Sequence, residues 1–242
     1  MIIRGKVDGD LYKKLMSYIV SKSDVLSVSV RLDYDRKIAN KVINIIMSSN
    51  EYAINDIVNN FSEEYIEKIA EKNKKNKLIF DEEYICNEKQ CVIKHIQNFS
   101  EEYRKKLIYD RRKNHIKSII YWMVYEYKTT NWLHKFKTNI IYKSCKDPSY
   151  TTYYLNLTVD LINDILSRNS FNDWNFPFSV EDIALFKNKQ CLLCSETHEN
   201  VWDIYCKDEN EYKYFKSIGI KFNDPRYILE GKKGLPYDNY YI

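Results

Sequence analysis

Cys191, Cys194, His198 and Cys206 are the residues whose types and spacing come nearest to a recognisable chemistry. Together they read C-x2-C-x3-H-x7-C, which superficially resembles a closed tetrahedral zinc site. A zinc knuckle needs a turn between its paired cysteines, so that both sulfurs converge. Here the intervening residues are Leu192 and Leu193, inside a run of strand-forming residues. Successive side chains of a strand alternate between faces. Cys191 and Cys194, three positions apart, are therefore expected on opposite faces, with Cys194 beside Leu192. Trp202, Ile204 and Cys206 should share a face in the next strand. The expectation is that these cysteines are small apolar core residues, with no metal bound. The four-residue set stands as the alternative.

Two further constellations carry acid–base potential. His198 is flanked by Glu196 and Glu199, and a thiol is close in sequence. None of the four histidines, His95, His115, His134 and His198, lies in a nucleophile motif, so His198 reads as a solvated turn residue. Glu181, Asp182 and Asp173 surround an aromatic stretch, and burial could raise the pKa of one of them. The simpler expectation is that they cap helices, where the helix dipole favours negative charge. Phosphate-cradling loops are excluded: the five glycines are scattered and no G-x-x-x-x-G-K occurs. No cofactor and no catalytic residue is expected.

Two segments suggest macromolecular contacts. Arg104, Lys105, Lys106, Arg111, Arg112, Lys113 and Lys117 lie close together with Asp110 as their one acid, and Tyr103, Tyr109 and Tyr121 are nearby. Such tracts bind phosphates, and aromatic rings beside them stack on bases. The tract equally suits the solvated face of a helix. The second segment, Asp173 to Phe178, holds Trp174, Phe176 and Phe178, and the C-terminal stretch adds Tyr237, Tyr240 and Tyr241. Partner surfaces are enriched in such aromatics. Covering the chain's own core is the competing use.

The elements that must hold these residues follow from periodicity. Ile2–Val7 reads as a short strand. Gly9–Ser21 reads as a helix with Leu11, Leu15, Tyr18 and Ile19 on one stripe, capped by Asp8 or Asp10. Val25–Leu32 alternates, predicting a strand with one wet face. Lys37–Met47 predicts a helix. The hexapeptide Asn60-Phe-Ser-Glu-Glu-Tyr65 recurs at 98–103. It predicts two helices capped by Ser62 and Ser100, with Phe61 stapled against Ile66 in the first. Lys72–Lys77 reads as a loop. A long helix is predicted from Ser100 toward Tyr127, broken near Lys113-Asn114. Tyr153–Leu157 reads as extended, and Thr158 caps a helix through Leu166. Ser179-Val-Glu-Asp182 predicts a capped helix through Phe186. Gln190–Glu196 and Val201–Cys206 form a hairpin around Thr197–Asn200. Asp208 opens a helix carrying Tyr212, Phe215 and Ile218, closed by Gly219 and followed by extended Ile220–Phe222.

The fold expected is α+β: a mainly helical N-terminal part with short strands, then a β-hairpin–helix–β part. The character changes near Asp147, giving regions 1–146 and 147–242. Without a Gly/Ser/Pro-rich linker, one continuous domain fits equally well. Among the 242 residues, 44% are hydrophobic and 15% aromatic, enough for a core, and the net charge is only +4. The absence of a leader or of a long apolar run predicts a cytoplasmic chain with no membrane contact, whose thiols stay reduced. Heavy use of Tyr, Asn, Lys and Ile fits an AT-rich, bacterial coding sequence. The functional expectation is a non-catalytic protein that binds another protein, in an immunity- or antitoxin-like role. The alternatives are a nucleic-acid binder using 104–117, and an enzyme using His198 near carboxylates.

Overall fold

A computed structural model describes residues 2–31, 54–75, 101–145 and 149–223, leaving aside the side chains of 73–75, 101–113, 115 and 116. The chain divides into two compact units, one formed by 1–34 together with 125–242 and the other by 35–124. The described elements are β1 (Ile3–Arg4), α1 (Gly9–Lys22), β2 (Val25–Arg31), α2 (Ile54–Asn59), α3 (Glu63–Lys75), α4 (Glu101–Lys135), β3 (Ile140–Ser144), β4 (Tyr150–Asn156), α5 (Val159–Ser167), β5 (Glu181–Lys187), β6 (Gln190–Glu196), β7 (Val201–Ile204), α6 (Glu209–Ser217) and β8 (Lys221–Phe222). The fold class is α+β, as the patterning predicts.

The first unit is built on a six-stranded sheet of order β3-β4-β2-β5-β6-β7, with every neighbouring pair antiparallel. Leu26, Val28, Leu155, Ile183, Leu185, Leu193 and Ile204 project into the main core. That core takes Tyr12, Leu15, Met16 and Ile19 from α1, Leu161 and Ile165 from α5, and Phe215 from α6. The other face carries Val25, Tyr154, Ala184, Phe186 and Cys191, which form a smaller buried cluster. Beyond the sheet, β1 pairs with β8, and Ile2 bridges to Asp203 at the β7 edge.

Buried polar groups tie this core together, because a buried donor without a partner costs about 1–3 kcal/mol. Trp174 Nε1 donates to the Tyr12 hydroxyl at 2.9 Å, which donates to the Ile165 carbonyl at 3.2 Å. The Arg168 guanidinium lies 3.7 Å from the centre of the Trp174 ring. Phe171 stacks on Trp202 with ring centres 3.5 Å apart.

In the second unit α2, α3 and the α4 residues up to Val124 enclose Ile57, Ile66, Ile69, Ala70, Ile119, Ile120, Met123 and Val124. Ser62 caps α3, its Oγ accepting from the Tyr65 N–H at 3.1 Å. Phe61 meets Tyr121 at 5.4 Å between ring centres, a contact the expected staple to Ile66 did not foresee.

Several expectations are corrected. Ser179–Phe186 opens no helix; Glu181–Lys187 is a strand between β2 and β6. Its neighbours supply hydrogen bonds along both edges, and both of its faces are buried. An apolar pattern on both faces imitates the spacing of a helix. Nor does β2 have a wet face: Ser27 and Ser29 are buried, because they lie on the face that carries the smaller cluster, with Ser27 between Tyr154 and Ala184. Helix α4 runs unbroken past 113–114, and α3 continues through Lys75 where a loop is expected. The helix expected over 37–47 and the Ser100 cap lie outside the described residues.

Candidate functional site

The residues most in need of a functional explanation gather where β2 ends and β4 and β5 begin. The register sets Arg31 beside Tyr150, and Ser29 beside Glu181. Between Ser29↔Glu181 and Ser27↔Ala184, β5 holds one residue more than β2. That bulge places Asp182 at φ 47°, a left-handed conformation that costs a non-glycine residue about 1–3 kcal/mol. The distortion is held from the β6–β7 connection. Asp182 Oδ1 accepts from the Thr197 N–H at 2.8 Å and from its hydroxyl at 3.0 Å. Thr197 Oγ1 in turn accepts from the Asp182 N–H at 3.3 Å.

Among the described residues, Glu181 is the buried carboxylate whose two oxygens both lack a hydrogen-bond partner. It is only 1% exposed, and neither carboxylate oxygen receives a hydrogen bond of ordinary length and angle. The Arg31 Nε lies 3.7 Å from Glu181 Oε2. Buried polar groups of native proteins are nearly always satisfied, so such a group calls for a reason. Burial raises the Glu181 pKa above the usual carboxylate value, and Asp182 pushes the same way. Arg31, the Phe176 N–H and His198 oppose that rise. Burial likewise raises the hydroxyl pKa values of Tyr125 and Tyr150, which keeps both phenols neutral. The Tyr125 hydroxyl accepts from the Arg31 N–H at 2.9 Å, and the Arg31 guanidinium sits 5.4 Å from the Tyr150 ring centre.

His198 stands at the rim, its side chain 44% exposed. Nδ1 is 3.9 Å from Asp182 Oδ1, and Nε2 is 3.9 Å from Glu199 Oε1. Both separations exceed hydrogen-bond length, so the contacts are ionic when the ring is protonated. An aromatic turn adjoins the same region. Phe176 packs on Tyr125 with ring centres 5.2 Å apart. Phe178 is 51% exposed, with Lys128 Nζ 5.4 Å from its ring centre. The turn is fastened by the N–H groups of Phe178 and Ser179, which donate to the Asn175 carbonyl at 2.8 and 3.3 Å.

The residues singled out from sequence are distributed as follows. Glu181, Asp182 and His198 come together. Asp173 does not join them: its carboxylate accepts from the N–H groups of Asn169 and Ser170, at 2.7 and 3.1 Å, and closes a one-turn helix. Of the aromatic set, Trp174 is fully buried in the main core, Phe176 is part-buried and Phe178 is exposed. Tyr237 and Tyr240 lie outside the described residues, as do the side chains of Arg104, Lys105, Lys106, Arg111, Arg112 and Lys113. Lys117, at the end of that tract, pairs with Glu67 at 2.6 Å and Glu63 at 3.4 Å.

The paired cysteines need a correction. A second bulge, at Leu192, lies between the pairs Phe186↔Cys191 and Leu185↔Leu193. It turns Cys191 to the same side as Cys194, and both pack in the smaller cluster. Cys206 packs against the main core instead, and His198 is at the Asp182 rim. Among the described residues no group of three or more His, Cys, Asp or Glu side chains could hold a metal ion. Nor is any described helix long and apolar enough to cross a membrane.

A cavity of about 380 Å³ opens elsewhere in the first unit, lined in part by Lys135, Asn139, Asp160 and Asp164. Asp164 is already committed there. It accepts from Trp132 Nε1 at 2.9 Å, Lys135 at 3.2 Å and Arg168 at 3.4 Å, a brace between α4 and α5.

Sequence reasoning missed Arg31, Tyr125 and Tyr150. Only Arg31 left a signal, as the charged residue ending the serine side of the alternating run Val25–Arg31. No protein-family model matches this chain, and neither a curated protein nor a solved structure matches it.

Proposed function

We propose that this chain is a non-catalytic binding protein whose partner is another protein, with the Phe178 turn at the centre of the contact surface. The observation that carries this reading is Phe178 itself, a large ring 51% exposed on a turn that backbone hydrogen bonds hold in place. A fixed aromatic loses little entropy on binding, and interface energy concentrates in such anchors. Trp174 and Phe176 serve as its footing, one within the core and one against Tyr125. In its narrower form the reading is an immunity- or antitoxin-like protein of the bacterial cytoplasm.

A photo-crosslinking phenylalanine analogue at position 178, introduced in the native host, tests it. One discrete, stoichiometric protein adduct is expected from 178, and none from the more exposed but unrelated position 159. The captured protein, once purified, should bind the wild-type chain and lose at least about tenfold in affinity with Phe178→Ala, some 1.4 kcal/mol. Equal labelling at both positions, or unchanged affinity, overturns the reading.

An enzymatic reading is favoured by one observation, the buried Glu181 beside the Asp182–His198 contact. Perturbed carboxylates cluster at sites of acid–base chemistry. Turnover lost in both Glu181→Gln and His198→Asn, but kept in Phe178→Ala, would establish chemistry in place of binding.

A further inference from the structure

We propose that Cys191 and Cys194 form an oxidisable thiol pair that a small peroxide converts to an intramolecular disulfide. A regular strand would send these side chains to opposite faces. The bulge at Leu192 removes that separation, setting Cys191 opposite Phe186 and Cys194 opposite Ala184 in one buried cluster. The two thiols interact: hydrogen bonding to Cys194 is the largest influence on Cys191, and together with burial it keeps the Cys191 thiol protonated. Cys191 Sγ also donates to the Leu193 carbonyl at 3.3 Å, while Cys194 Sγ lies 3.6 Å from the Tyr205 hydroxyl. Tyr205 stays a neutral phenol, chiefly through burial, and can donate to a thiolate at Cys194. Cys191 is nearly enclosed at 7% exposure, whereas Cys194 is partly open, so the oxidant meets Cys194 first.

The chemistry balances. Cys194, as thiolate, attacks one oxygen of hydrogen peroxide, breaks the O–O bond and becomes a sulfenic acid as hydroxide leaves. Cys191 then attacks the sulfenic sulfur. The S–S bond forms, and the displaced hydroxide leaves with the thiol proton as water. Two thiols and one peroxide give one disulfide and two waters, with two electrons passing from sulfur to oxygen. Because the reactive form is the thiolate, the rate should rise about tenfold per pH unit while the thiols stay mostly protonated.

The test uses the reduced full-length chain, treated with hydrogen peroxide at pH 7 and at pH 9, alkylated and digested with trypsin. The tryptic peptide 190–207 carries Cys191, Cys194 and Cys206, the last of which burial pushes up to about 12. Expected is a peptide about 2 Da lighter than the same peptide alkylated at Cys206 with the other two thiols free, fragment ions linking 191 to 194, and reversal by dithiothreitol. It should accumulate at least about tenfold faster at pH 9 than at pH 7. Cys206→Ser should retain the link. A link to Cys206, sulfinic acid at Cys194 beside an alkylated Cys191, or oxidation only after denaturation would each overturn the proposal. Mapping the wild-type chain keeps the test independent of whether Cys191→Ser or Cys194→Ser folds.

Discussion

Glu181 shows how one side chain sets a pH dependence. Its pKa in the folded chain is raised above the ordinary carboxylate value of 4.5, mainly by burial. As pH rises from 4.5 toward the raised value, the unfolded chain releases this proton while the folded chain keeps it. The folded state therefore loses stability across that window, and the deficit stays constant above it. Glu181→Gln keeps the shape and removes the titration. The stability of the wild type minus that of Glu181→Gln should fall as pH rises through the window and then level off. Urea unfolding at a series of pH values measures it, and a difference that climbs with pH would contradict the assignment. The sequence marked Glu181 and Asp182 as an acidic pair, but for a helix N-terminus. What makes Glu181 unusual is the company of Arg31, Tyr125 and Tyr150, residues remote in sequence that strand register and the packing of α4 bring together.

Among the elements, α6 shows local physics read correctly. Asp208 stands at its N-cap, and its carboxylate accepts from the Glu211 N–H at 2.9 Å. Glu211 then reaches back to the Lys207 N–H at 2.6 Å and across to Tyr18 and Lys22 of α1, at 2.8 and 3.0 Å. Burial pushes Glu211 up, but these donors outweigh it and hold its pKa below the usual carboxylate value. Gly219 closes the helix at φ 104°, a conformation that suits glycine. Asp208→Ala should cost about 1 kcal/mol, and Asp208→Asn much less, measured by urea unfolding at neutral pH. Equal losses in both variants would mean that the cap hydrogen bond is not what stabilises the helix start. The hairpin of β6 and β7 was equally legible, because alternation and a four-residue connection are local signals. The bulges at Asp182 and Leu192 were not, since each exists only relative to its partner strand.

At the scale of the whole molecule, the first unit is discontinuous in sequence, with 35–124 set between its two parts. The change in character near Asp147 falls within that unit, between β3 and β4. Among the described residues, the six-stranded sheet and the main core draw on the first unit alone. Replacing 35–124 by about eight Gly/Ser residues, a linker reaching roughly 15 Å, should leave a chain that unfolds cooperatively in urea. Such a chain should also keep the Phe178 crosslink. Gradual, non-cooperative unfolding would show that the first unit needs the second in order to fold.

What the sequence determined by itself was local: the α+β class, the caps at Ser62 and Asp208, the closing glycine at 219 and the hairpin around 197–200. Those features depend on backbone groups and side chains a few residues apart. Only the tertiary structure decided that β2 and β5 are interior strands, that Glu181 is buried beside Arg31, and that Cys191 and Cys194 face the same way. Each of these depends on which strand lies alongside and in what register. A one-residue slip or bulge reverses the face on which a side chain falls, and no spacing within a single segment records it.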